Sequence, residues 1–236
     1  MNYLNKGNDG FASLRNSKFV DKSLLIAEVN SAMMTENRFL CVTRARRFGK
    51  SVAVKMLNAY YDKSCDSQNL FQGLAISKDE DFEKHLNRYP VLYLDMTDFV
   101  TKYGNDEQLV EHIKRDICEE LLELYKGVVM KPNDDLMDLL VSIVNQTGEK
   151  FVCLIDEWDA LCREGQEKQM DEYVNLLRRL FKGSMSEYVF ACSYMTGILP
   201  IKRYNTQSAL NNFDEYTMLS PAQLAPYFGF TANEVE

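Results

Sequence analysis

Residues 44–51 read RARRFGKS, and residues 151–159 read FVCLIDEWD. The first stretch ends in Gly-Lys-Ser, the way a phosphate-binding loop closes before its helix. The second is an apolar run ending in Asp-Glu. A loop between a strand and a helix turns backbone N–H groups inward at the positive end of the helix dipole, so phosphate oxygens bind there. In such a loop Gly49 permits close approach, Lys50 reaches the β- and γ-phosphates, and the Ser51 hydroxyl ligates Mg²⁺. An acidic pair at a strand end supplies a further Mg²⁺ ligand, Asp156, and a carboxylate, Glu157, that activates or orients water. Each motif alone has a plain alternative: an arginine-rich surface loop, or an acidic cap on the next helix. Finding both, in this order, is what points to a nucleotide site.

One position departs from the usual pattern G-x-x-x-x-G-K-[ST]. Arg44 stands where the first glycine belongs, at a place that often needs a backbone geometry costly for a residue with a Cβ. It implies a differently shaped entry to the loop. Arg46 and Arg47 are of a type to donate in pairs to phosphate oxygens, although an exposed arginine pair is as often merely solvated.

These residues need a frame. Four short apolar runs, Phe39–Thr43, Val91–Asp95, Phe151–Asp156 and Tyr188–Ser193, lack polar alternation, so they read as strands buried on both faces. Between them apolar residues recur at helical spacing: Val52, Met56, Leu57 and Tyr60; Leu109, Ile113, Ile117 and Leu121; Leu136, Leu139, Leu140 and Ile143; Met170, Tyr173, Val174, Leu177 and Phe181. Strands separated by helices imply right-handed crossovers and a parallel sheet with helices on both faces, an α/β fold of three layers. Ligands in such folds sit beyond the carboxyl ends of the strands, where Thr43 leads into the loop and Asp95 and Asp156 close their strands. Asp95 is either an acid near the Mg²⁺ or a strand-end cap. Pro221–Glu236 reads as the start of another helical element.

Composition narrows the partners. The 236 residues are 46% hydrophobic and 26% charged, enough for one full core, and the net charge of −8 repels nucleic acid. Direct nucleic-acid binding by this chain is therefore not expected. The six cysteines show no C-x-x-C spacing and there are two histidines, which argues against a zinc site or a disulfide framework. Cys41, Cys153 and Cys192 fall in strand runs as small buried hydrophobes, which suits a reducing cytoplasm. No stretch approaches the roughly 18 uninterrupted apolar residues of a membrane span.

Four segments together resemble a known family, the predicted AAA-ATPase-like domains related to AAA+ and STAND P-loop ATPases: FVDKS (Phe19–Ser23), RARRFGKS (Arg44–Ser51), LIDEWD (Leu154–Asp159) and MTGILPIKRYNTQSALNNFDEYTML (Met195–Leu219). The resemblance implies a P-loop NTPase domain over 1–219 and the beginning of a truncated helical lid over 220–236. The family's loop also lacks the first glycine and typically reads R-P-R-R-F-G-K-S, so Arg44 is similar to a family trait and Ala45 is the departure. The same resemblance implies ATP as the ligand in preference to GTP, Mg²⁺ as cofactor, and a loop in which Arg46, Arg47 and Phe48 join Gly49, Lys50 and Ser51. Val20, with Phe19, would pack near the adenine, or else belong to the core.

In related ATPases a polar residue on the strand after the acidic one senses the γ-phosphate, and the resemblance implies such a residue here. Thr196 fits best and Ser193 next; either hydroxyl could instead cap nearby backbone. Arg178, Arg179, Lys202 and Arg203 are candidates for a charge-stabilising finger, supplied in cis or by a neighbouring subunit or protein partner. Many relatives carry a nuclease domain with a Glu-x-Lys pair, and no Glu-x-Lys occurs in this sequence. Three functions remain open: Mg²⁺-dependent ATP hydrolysis used as a conformational switch, a nucleotide-binding interaction module with little hydrolysis, and, least favoured by the acidic charge, a DNA-directed role.

Overall fold

The computed structural model describes residues 2–104, 106–164, 167–201, 210–231 and 234. Five strands form one sheet: β1 (Phe39–Thr43), β2 (Val91–Asp95), β3 (Phe151–Asp156), β4 (Phe190–Gly197) and β5 (Asp214–Tyr216). Their order is β2-β3-β4-β1-β5, and every neighbouring pair is parallel. The helices are α1 (Asp9–Arg15), α2 (Leu25–Ala32), α3 (Lys50–Tyr61), α4 (Gln68–Phe71), α5 (Phe82–His85), α6 (Met96–Tyr103), α7 (Leu109–Leu124), α8 (Leu136–Thr147), α9 (Ala160–Arg163), α10 (Glu167–Phe181) and α11 (Ser184–Val189). This is the three-layer α/β arrangement of a P-loop NTPase.

Strand side chains alternate between two cores. Phe39, Cys41, Leu92, Leu94, Cys153 and Ile155 face the side covered by α6, α7, α8 and α10. Leu40, Val42, Val91, Tyr93, Val152 and Leu154 face α1, α2 and α3. Both faces are dry, so strand residues on either side are apolar, which is why the runs lack alternation. The expected helical sets fall in α3, α7, α8 and α10. Their apolar members are buried apart from Val52, which is half-buried at the cleft described below.

One expectation needs correction. The strand expected over Tyr188–Ser193 starts at Phe190 and runs on to Gly197. Tyr188 and Val189 belong instead to α11, where the Tyr188 hydroxyl is partly exposed and donates to Asn145 at 2.6 Å; a short apolar run does not declare its own period. Beyond β5 a helical element does follow, and among the described residues it includes a 3₁₀ segment, Ala222–Tyr227, with Pro226 inside it. Proline there removes the N–H that an α-helix would use, so the turn tightens and stops.

Candidate functional site

The carboxyl ends of β1, β2 and β3 share one rim. Asp95 and Asp156 are register partners, so two strand-end acids lie side by side. Burial, then the neighbouring Asp156, pushes the Asp95 carboxyl above the usual carboxylate range, and its side chain accepts from Thr97 N at 3.0 Å, capping α6. The loop after β1 enters α3 through Gly49, whose φ of 84° is left-handed and would be costly for any other residue. Arg47 is also left-handed, at φ 68°. Such alternation along a loop curls successive N–H groups around an anion, here at the start of a 12-residue helix.

Lys50 is buried, and its Nζ lies 3.3 Å from Ala45 O and 3.4 Å from Glu157 Oε1. Ser51 lines the cleft with Asp156, and its hydroxyl favours the ionised form of that carboxyl. On the far side of Asp156, Thr196 donates its hydroxyl to Oδ1. Glu157 turns away from β3 in a left-handed conformation, φ 53°. A non-glycine residue held there stores of order 1–3 kcal/mol of strain, a feature that clusters at functional positions.

Arg44 is not a vacant substitute for glycine. Its guanidinium is buried and donates to Thr43 O at 2.8 Å and to Tyr216 O at 2.7 Å, tying the end of β1 to β5, and it lies 5.1 Å from the centre of the Phe228 ring. Burial lowers its pKa from the ordinary arginine value. The entry to the loop is thus braced by a side chain instead of being relaxed by a glycine.

A cleft of about 880 Å³ joins these parts. Arg46, Arg47, Phe48, Gly49, Lys50 and Ser51 form its floor, Asp95, Asp98, Asp156 and Glu157 one end, and Phe19, Val20, Tyr227 and Phe230 an apolar wall. The wall is held from two sides: Gly229 N donates to Phe48 O at 3.2 Å, and Lys22 pairs with Glu234 at 2.7 Å. Arg46 and Arg47 are exposed, in no ion pair among the described residues.

The expected site residues therefore converge, with exceptions. Thr196, expected to sense the γ-phosphate, is fully buried behind Asp156 and does not line the cleft. Ser193 lies deeper in the sheet, opposite Cys153. Of the finger candidates, Arg179 pairs with Asp135 and Asp138 at the start of α8, and neither it nor Arg178 lines the cleft. Lys202 and Arg203 lie outside the described residues. Trp158 is fully buried packing. Sequence reasoning missed Asp98, Tyr227 and Phe230 of the cleft, and also Arg163, whose Nη2 lies 2.5 Å from Glu157 Oε2. Its spacing from Glu157 matches no motif, so only the fold reveals it.

A family profile described as a predicted AAA-ATPase matches residues 6–206. The chain belongs to the AAA-ATPase-like family. No curated protein matches it. Membership goes with nucleotide binding on a P-loop, and this AAA-ATPase-like chain has no helix, among its described residues, long and apolar enough to cross a membrane.

The donor set fits Mg²⁺. Ser51 and Asp156 offer two hard oxygens in the same cleft, and among the described residues there is no cluster of three or more acids, histidines or cysteines that would cage a metal by itself. Mg²⁺ commonly takes one or two protein oxygens and shares the rest with phosphate and water. Burial is the main cause that raises the Asp156 carboxyl above its ordinary pKa, with the Thr196 and Ser51 hydroxyls opposing it.

The folded state of this AAA-ATPase-like chain thus holds that proton more tightly than the unfolded chain does. The contribution of Asp156 to stability falls as pH rises from the ordinary carboxylate value through the raised one. Asp156→Asn removes the desolvated charge and keeps an oxygen to accept from Thr196. Without nucleotide it should gain about 0.5–2 kcal/mol at neutral pH, read by denaturant unfolding, with the gain shrinking in acid. A loss of the same size would mean that the carboxylate's hydrogen bonds outweigh its desolvation.

Proposed function

We propose that the protein is an ATPase that binds ATP with Mg²⁺ in this cleft and uses cleavage of the γ-phosphate as a conformational switch. The observation that carries this reading is the convergence of Lys50, Ser51, Asp156 and Glu157 on one cleft beside a helix N-terminus. Lys50, with Arg46 and Arg47, would neutralise the phosphates, while backbone N–H groups around Phe48 and Gly49 receive their oxygens. Ser51 and Asp156 would hold Mg²⁺, which when bound draws charge from the β- and γ-phosphate oxygens. Glu157 would accept a proton from the attacking water. Thr196 would act through Asp156, fixing the rotamer of that carboxyl. The wall of Phe19, Val20, Tyr227 and Phe230 would take the base.

The second reading, a nucleotide-binding interaction module with little turnover, is favoured by the absence of Thr196, Arg178 and Arg179 from the cleft wall. In either case a charge-stabilising arginine could come from a second copy or a protein partner.

One titration tests both. Saturable binding of a fluorescent ATP analogue in Mg²⁺ should weaken about 10–100-fold in Lys50→Ala, the loss of a charge-assisted contact to phosphate. Phosphate release in the same samples separates turnover from binding alone. Equal affinity in the variant would remove the loop from the nucleotide site.

A further inference from the structure

Arg163 ends α9, and its guanidinium reaches two carboxylates at once. Nη2 donates to Glu157 Oε2 at 2.5 Å, and Nε lies 3.3 Å from Asp159 Oδ2, an ion pair without hydrogen-bond geometry. Asp159 is fully buried and is itself anchored: it accepts from Ile198 N at 3.2 Å and from Leu199 N at 2.9 Å, just past the end of β4. The guanidinium is thus seated on a fixed acid and extends toward a second one at the cleft. Glu157 needs such support, because its backbone is left-handed at the turn and its other oxygen faces Lys50 at 3.4 Å.

Resting on the ATPase reading above, we propose that Arg163 is a positioning residue that holds Glu157 for reaction with water. In that reading Lys50 turns its charge to the phosphates, so it is a poor permanent anchor for Glu157. Arg163 has no such competing duty, and the buried charge of Asp159 holds it in place as an ion pair. In the step it supports, the water oxygen bonds to the γ-phosphorus while the bond from that phosphorus to the β,γ-bridging oxygen breaks. ADP leaves with the bridging oxygen, and the water's proton passes to the Glu157 carboxylate. A planar fork serves two carboxylates; a lysine in its place serves one.

Arg163→Ala should lower kcat about 10–100-fold, the scale expected when a reacting group is misplaced by about 1 Å, with KM and the affinity for the fluorescent ATP analogue unchanged. Arg163→Lys should recover part of kcat. In a Glu157→Gln background, Arg163→Ala should remove nothing further, because the group it positions is already disabled. The role is overturned by an unchanged kcat in Arg163→Ala, by a fall in affinity that accompanies the fall in kcat, or by an equal further loss in the Glu157→Gln background. If Arg163→Ala does not fold, Arg163→Lys and Arg163→Gln are held to the same criteria. No phosphate release by the unmutated protein would sink the ATPase reading and this role with it; release that survives the Arg163 variants sinks the role alone.

Discussion

Glu157→Gln should lower kcat for ATP hydrolysis about 10²–10⁴-fold, the range attributed to a general base, and leave nucleotide affinity intact. Glutamine keeps the shape of glutamate, and its one amide oxygen can still accept from Arg163, while its NH2 takes the place of the oxygen that faces Lys50. What it loses is the ability to take a proton. It also loses the charge that competes for Lys50, so affinity should hold or rise. Phosphate release beside the analogue titration reads both quantities. Undiminished turnover would show that water is activated elsewhere.

Gly197→Ala should destabilise the fold by about 1–3 kcal/mol, the cost of overpacking a dense core, and reduce turnover as well. A Cβ at Gly197 would stand 2.4 Å from Trp158 Cδ1, 2.5 Å from its Nε1 and 2.9 Å from Asp159 Oδ1. The indole is rigid and fully buried, and Asp159 is held by two backbone donors, so neither can step aside freely. Any relief moves Trp158 or Asp159, the neighbours of Glu157 and the seat of Arg163. Unfolding in denaturant gives the stability change. An alanine variant as stable and active as the parent would mean that this corner is looser than its distances imply.

Local chemistry made the centre of the site readable in the sequence. Gly-Lys-Ser and Asp-Glu carry their meaning in residue type and spacing, and strands buried on both faces advertise themselves by unbroken apolarity. Other parts depend on where distant segments meet. Arg163 reaches Glu157 only because the chain reverses at a left-handed residue, and no periodicity encodes that turn. Thr196 was legible as a strand residue after the acidic one, yet its hydrogen bond to Asp156 is a matter of register between β3 and β4. Arg44 was legible as a departure from glycine; its brace to Tyr216 required β5 to lie against β1. The start of β4 was misread because Tyr188 and Val189 are as apolar as a strand and sit in α11.

The strand order has a consequence for how the chain acquires its shape. The loop strand β1 and the acidic strand β3 are not neighbours: β4, which comes later in the sequence, slots between them. Until residues 190–197 are in place, β1 and β3 each present an open edge and their chemical ends have no fixed separation. Pairings this distant along the chain close slowly, since loop entropy is lost before the contacts form. Competence to grip a nucleotide is thus a late event in folding, and a nascent polypeptide would gain it only after most of the domain had left the ribosome.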